Sequence, residues 1–204
     1  TCPFFVADPG ITFILLRACR DLLALADRLG ETAAQPEVEG WISRMETGAA
    51  RLWNAELKAH VAMNLRTGKQ TDGVSSASFL APYAGLTDPE VLKPLQDHFD
   101  RISAKVRYLM PSYDPEHEAY EHLRYWRGPV WAMVNFMIAR GFAEVGDLGR
   151  SDRLRCDTAA LIQTGGFAEY FSPETAEAAG GGSFSWTAAI WLAWARPSQA
   201  DQAA

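Results

Sequence analysis

Apolar residues in this chain recur every three or four positions in one segment after another, and that period constrains the fold more than any other feature. From residue 11 to residue 29, Ile11, Ile14, Leu15, Ala18, Leu22, Leu25, Ala26 and Leu29 fall on one face of a helix. Asp8 and Pro9 precede the run as a start signal, and Gly30 follows it as a C-terminal cap. After Pro36 the period resumes through Val38, Trp41, Ile42, Met45, Ala49, Leu52, Trp53, Leu57 and Val61. The spacing predicts a second helix, paired with the first as a hairpin, and places Trp41 and Trp53 in its core. No segment alternates apolar and polar residues for more than a few positions, which argues against a sheet-based fold.

The stretch TGKQTDGVSSASFLAPYAGL reads as a long loop, of the kind that carries function more often than connection. Thr87-Asp88-Pro89-Glu90 then starts a third helix, with Leu92, Leu95, Phe99 and Ile102 on its buried face. A fourth helix is expected from Gly128-Pro129 through Val130, Trp131, Val134, Ile138 and Phe142, closed by Gly146 and Gly149. A fifth covers about Asp152 to Gln163, and a sixth about Trp186 to Ala195, stopped by Pro197. Three successive helical hairpins, joined by alternating short turns and long loops, predict an all-α fold corresponding to half of a helical toroid.

Composition narrows the function. The 204 residues are 48% hydrophobic with a net charge of −6, enough for one sizeable core and without the basic run that tracks a phosphate backbone. Nucleic acid is therefore not an expected partner. Cys2, Cys19 and Cys156 are odd in number and match no disulfide or zinc spacing, which favours a reducing, cytoplasmic setting. No stretch is apolar enough to span a bilayer, and no secretion signal opens the chain. The start at Thr1 rather than Met leads us to expect that a segment upstream has been removed.

Two segments carry a composition that packing alone does not require. In the first, Tyr125-Trp126-Arg127-Gly128-Pro129-Val130-Trp131 with Asn135, aromatic faces converge with a fixed cation and an amide at a helix start. Rings that cover the C–H faces of a sugar, with Arg or Asn reaching its hydroxyls, are what a carbohydrate site needs. The second runs Gly165-Gly166-Phe167-Ala168-Glu169-Tyr170-Phe171-Ser172-Pro173 and continues through Gly180-Gly181-Gly182-Ser183-Phe184-Ser185-Trp186-Thr187. If residues 167–171 are extended, Glu169 stands between Phe167 and Phe171 on one side. A carboxylate so placed is costly to desolvate unless it faces solvent or serves chemistry. The bland alternatives are a Trp-rich helix start in the core and a glutamate on a rim.

Other patterns fail. His117 and His122 are five apart and do not form a zincin pair, and no metal or cofactor is expected. The glycine run at 180–182 lacks the Lys-Ser/Thr of a phosphate loop. Cys19 lies on a predicted core face and Cys156 has no paired histidine, so nucleophilic catalysis by cysteine or serine has no support.

At these segments the chain resembles glycoside hydrolase family 63 and its mannosylglycerate and glucosylglycerate hydrolase relatives. YWRGPVW with Asn135, then GGFAEYFSP and FSWTAA, carry the likeness, joined by VADPG before LLRACRDLLALADRLG and by FLAPYAGL. A Gly-Gly-x-x-Glu-Tyr turn followed by Phe-x-Trp-Thr is more distantly similar to the trehalases. The likeness covers nearly the whole chain and implies an (α/α)6 toroid of the six-hairpin glycosidase kind, of which residues 1–204 form the C-terminal half with about three helical hairpins. It implies inverting hydrolysis of an α-glucoside or α-mannoside, of the oligosaccharide or the glucosyl- or mannosylglycerate type, with a general acid and a general base on opposite faces of the sugar.

By motif match Glu169 is the base, expected on the deepest concave surface, within reach of Arg127 or Tyr125 and not in a wholly buried cluster. Tyr125, Trp126, Arg127, Trp131, Tyr170 and Trp186 match positions that line the sugar pocket. Two departures stand out: the family's Thr-Gly-Glu turn reads Thr175-Ala176-Glu177 within Glu174-Thr175-Ala176-Glu177, and its acid lies in a Ser-Gly-x-Asp-like segment upstream of VADPG. The partners implied are a carbohydrate and either the missing N-terminal half of the barrel or another copy of the chain. Two other readings compete, a non-catalytic carbohydrate-binding or scaffolding helical module, and a helical repeat protein with an apolar concave face.

Overall fold

A computed structural model describes residues 5–197. The chain divides into two compact units, Thr1–Leu95 and Gln96–Ala204. Among the described residues there are six α-helices and only two-residue strands, so the fold class is all-α as expected.

In the first unit, α1 (Pro9–Leu29) begins where Asp8 accepts a hydrogen bond from the Ile11 amide at 3.0 Å, and it ends where Gly30 turns left-handed at φ 71°. The expected face is not the buried one. Phe13, Leu16, Cys19 and Ala26 pack inward against α2 (Gln35–Ala50) and a 3₁₀ turn at Ser76–Leu80, while Ile11, Leu15, Leu22, Leu25 and Leu29 are exposed. The helix is apolar on two sides, and the more regular stripe is the outer one.

The second helix also ends earlier than predicted. Leu52 and Val61 are buried, but they flank a short hairpin of β2 (Trp53–Asn54) against β3 (Ala59–His60), while the earlier strand β1 (Val6–Ala7) pairs elsewhere. Asn54 Oδ1 accepts from the amides of Glu56 and Leu57 at 3.0 and 2.9 Å, a side-chain turn that competes with helix continuation. Trp53 is only half-buried and Trp41 is 37% exposed, so neither is the core residue that the period implied. The strand β1 pairs with β4 (Met63–Asn64), and the predicted loop after it is well packed, with Ser78, Phe79 and Leu80 buried.

The third helix, α3 (Pro89–Ser103), buries Leu95, Phe99 and Ile102 as expected. In the second unit, α4 (Ala132–Glu144) starts at Ala132 rather than at Gly128, because Val130 is spent on bridges to Pro111 and Phe171. It packs on α5 (Leu148–Gly165), which Asp147 caps through the Arg150 amide, and on α6 (Ser185–Ile190), which continues as a π-turn at Trp191–Ala195. Phe99 meets Phe142 of α4 edge to face at 5.4 Å. Two-residue strands β5 (Tyr170–Phe171) and β6 (Ala178–Ala179) form an antiparallel hairpin. The core of this unit gathers Val130, Leu161, Ile162, Phe171 and Ala195. No helix among the described residues is long and apolar enough to cross a membrane, and Cys19 and Cys156 are free thiols, whereas Cys2 lies outside the described residues.

His60 is 3% exposed, wedged edge-on between Phe13 and Trp53 at 5.1 Å, with Nδ1 unpartnered. Burial lowers its pKa to about 4, so the folded chain keeps it neutral at pH values where an unfolded chain protonates it. Stability is therefore full above about pH 6.5 and falls as the pH drops toward 4, by up to about 3 kcal/mol. Urea melts of the chain and of His60→Gln between pH 4 and 7.5 are expected to show that the variant loses this part of the slope.

Candidate active site

The site rests on a narrow ladder in the second unit. Pro111 bridges Val130, Val130 exchanges two hydrogen bonds with Phe171 at 2.8 and 3.0 Å, and Phe171 pairs with Ala178. Trp131 follows Val130, while Glu169 and Tyr170 precede Phe171, so one ladder brings the two sequence motifs together. Asn135 anchors its first rung: its side chain accepts from the Met110 amide at 2.9 Å and donates to the Leu109 carbonyl at 2.7 Å and to Thr158 at 2.9 Å. Fully buried, with both side-chain N–H groups donated and the oxygen accepting, Asn135 is spent on the fold rather than turned to the surface.

Residues 121–128 close on themselves above the ladder. The Glu121 amide donates to the Arg127 carbonyl at 2.9 Å, and Gly128 donates to Ser112 Oγ at 3.0 Å. A side chain at Gly128 would strike the Glu121 carbonyl and come within 2.8 Å of His122 Cα, which is why glycine stands there. Tyr125 sits at φ 37°, a left-handed conformation costly for an aromatic residue, and the Trp131 indole N–H holds its carbonyl at 3.1 Å.

That conformation aims the Tyr125 hydroxyl at Glu169, to whose Oε1 it donates at 2.7 Å. The bond to the carboxylate raises the phenol's pKa above its ordinary value, so Tyr125 remains a donor. Reach to Tyr125 is thus as expected. Arg127 is exposed, and no hydrogen bond or ion pair among the described residues occupies its guanidinium.

The expected aromatic set does converge, but its members do different jobs. Trp126 is 49% exposed and stacks on Trp131 at 4.1 Å with planes 8° apart. Trp131 is 1% exposed, so it supports the platform from beneath and presents no face to a ligand. Tyr170 lies 5.4 Å from Tyr125 and 5.1 Å from Trp131, and Trp186 lies 6.0 Å from Trp131. Phe171 is buried and Phe167 exposed, so Glu169 is not sandwiched between them as strict alternation required. Glu169 itself is half-buried beside Tyr125; the cavity of about 540 Å³ in the first unit, lined by Arg20, Glu46, Trp53, His60 and Val91 among others, contains none of the candidate residues.

Several supports escaped sequence reasoning. His122, dismissed as a metal ligand, shares a hydrogen bond with Ser172 Oγ at 2.9 Å, and Ser172 Oγ accepts from the Glu174 and Thr175 amides at 3.2 Å. Tyr120 donates to Glu174 at 3.0 Å, and burial first, then this bond, raises its pKa. Ala176, at the place of the glycine in the Thr-Gly-Glu turn that the resemblance implies, adopts the left-handed φ of 66° and is buried. No group of His, Cys, Asp and Glu among the described residues is arranged to hold a metal ion.

The division between platform and support has a measurable consequence. Trp131→Ala is expected to cost about 3–5 kcal/mol of stability in chemical denaturation. Trp126→Ala is expected to cost about 1 kcal/mol or less, yet to weaken sugar binding followed by fluorescence titration. Equal stability losses with equal binding would refute that division.

Comparison with known proteins adds the family. Residues 1–187 match the model of the mannosylglycerate hydrolase MGH1-like glycoside hydrolase domain. The chain is 42% identical to a mannosylglycerate hydrolase of Thermus thermophilus over 95% of its own length and 46% of that protein's. It is 38% identical to mannosylglycerate hydrolase MGH1 of Selaginella moellendorffii, over 94% and 39% of the two chains. A crystal structure of a GH63 mannosylglycerate hydrolase from Thermus thermophilus in complex with glucose superposes with a TM-score of 0.87 at 41% identity, covering 92% of this chain and 48% of that one. Neutral trehalase of Saccharomyces cerevisiae shares the fold alone, with a TM-score of 0.72 at 16% identity. These neighbours are (α/α)6 barrel enzymes, and the chain spans about half the length of the curated relatives it matches. With motifs, ladder and family model in agreement, the chain belongs to the mannosylglycerate hydrolase MGH1-like glycoside hydrolase domain family.

Proposed function

We propose that this chain carries the general-base side of an inverting glycoside hydrolase acting on an α-mannoside or α-glucoside, with a glycerate-type or oligosaccharide aglycone. The observation that supports it best is the Glu169 carboxylate held at 2.7 Å by the hydroxyl of Tyr125, whose ring meets the half-exposed Trp126 edge to face at 6.0 Å, in a chain of this family. In this reading Glu169 takes a proton from a water molecule as the water oxygen bonds to the anomeric carbon. The bond from that carbon to the aglycone oxygen breaks on the opposite face, where a second carboxyl group gives the oxygen its proton.

Tyr125 fixes the carboxylate without competing for its proton. Trp126, Trp186 and Tyr170 cover the sugar, and the exposed Arg127 suits an aglycone that bears a carboxylate, as glycerate does. The second carboxyl group belongs about 6.5–9.5 Å from the base. By resemblance it comes from a segment preceding VADPG, supplied by a complementary barrel half or another copy of the chain. The outer apolar stripe of α1 supports such a partner, since a helix apolar on two sides is stable when both are covered. The free thiols fit a reducing, cytoplasmic setting.

Assayed alone against mannosylglycerate, glucosylglycerate and simple α-glycosides, the chain is expected to bind weakly and not to turn over. Together with a complementary half it is expected to hydrolyse one of them. In the active assembly Glu169→Gln is expected to lower kcat on the order of 10²-fold or more with little change in KM. Near-normal turnover in that variant would reject the base assignment and favour a sugar-binding module.

A further inference from the structure

The glycine run at 180–182 matches no phosphate loop, yet its first member lies against the carboxylate assigned above. The β5–β6 register pairs Tyr170 with Ala179 and Phe171 with Ala178, and one step further it sets Gly180 opposite Glu169. The Glu169 amide donates to the Gly181 carbonyl at 3.0 Å, which extends the ladder past the last paired residues. Gly180 has φ +80°, and that backbone turns its missing side chain toward its cross-strand neighbour. A Cβ there would fall 2.5 Å from Glu169 Cβ and 3.1 Å from Cδ, and it would overlap Oε2. Nothing comparable surrounds Gly182, beside which no atom lies within 4 Å.

We propose that Gly180 is a positioning residue for the general base: the space left by its absent side chain is the slot that holds the Glu169 carboxylate against the Tyr125 hydroxyl. The inference rests on the proposed role of Glu169. Oε1 is fixed by Tyr125, and the Gly180 backbone walls the side on which Oε2 lies. A methyl group in the slot displaces the whole side chain, because Cβ is struck as well as the flexible end. Misplacement of a reacting group by about 1 Å lowers a rate on the order of 10²-fold while leaving the sugar platform intact.

The test compares Gly180→Ala with Gly146→Ala in the active assembly. Gly146 has nearly the same φ, +82°, with no atom within 4 Å of a Cβ, so it carries the positive-φ penalty without the collision. Gly180→Ala is expected to lower kcat on the order of 10²-fold with KM within about threefold of the parent, whereas Gly146→Ala keeps both. Equal kcat in the two variants, or a Gly180→Ala loss confined to KM, overturns the positioning role. If Gly180→Ala folds poorly, its denaturation cost is measured again in the Glu169→Gly background. A collision with Glu169 predicts that the cost falls there to that of Gly146→Ala, and an unchanged cost overturns the proposal. Glu169→Gln tells the two ideas apart: full activity in that variant removes the base role itself, while an inactive Glu169→Gln beside a normal Gly180→Ala removes only the role of Gly180.

Discussion

The hydrogen bond from the Trp131 indole to the Tyr125 carbonyl is the contact on which the rest of the site depends. Tyr125 occupies a backbone region that a bulky side chain avoids, and it stays there only because its surroundings determine it. Trp131 is able to hold it because Trp131 is itself immobile, buried at the head of α4 next to the Val130–Phe171 bridge. A strained aromatic residue on a closed loop thereby acquires the rigidity of a helix start. The Tyr125 hydroxyl conveys that rigidity to Glu169.

The buried polar groups of the second unit serve the same end. Asn135, Thr158 and Ser112 spend their hydrogen bonds on backbone and, between Asn135 and Thr158, on each other, tying residues 109–110 to α4, α4 to α5, and closing the loop at Gly128. Each is costly to bury unless satisfied, and each is satisfied by one arrangement of the chain. The groups proposed to meet substrate are consequently the incompletely buried ones: Tyr125, Trp126, Arg127, Glu169, Tyr170 and Trp186.

Much of this was legible in the residues. Caps at Asp8 and Gly30 located α1, and the two motifs identified the residues that meet at Glu169. What periodicity missed has physical causes. It counted the outer stripe of α1 as the core face because apolar spacing records burial against something, without saying which surface is covered within the chain. It ran α2 on through Trp53 because Leu52 and Val61 keep the apolar rhythm, whereas α2 stops at Ala50 and the Asn54 side chain fixes the hairpin turn that follows. The motif match grouped Trp131 with the ligand-facing rings because composition cannot separate a ring that touches sugar from one that carries such a ring. The loop from residue 174 to 177 was unreadable for a different reason: Ala176 assumes a conformation that its identity does not announce.

Because β5 and β6 pair through only two residues each, the direction in which Glu169 points is a question of strand register. A slip by one position would exchange the places of Glu169 and Ala168, whose methyl group is in the core beneath the hairpin. A carboxylate would then be sealed against Leu161 and Ile162 of α5 without a partner, at a cost larger than a two-rung ladder can supply. The misaligned hairpin is therefore unstable by virtue of the same charge that makes the aligned one useful, and the group proposed for chemistry also proofreads its own placement.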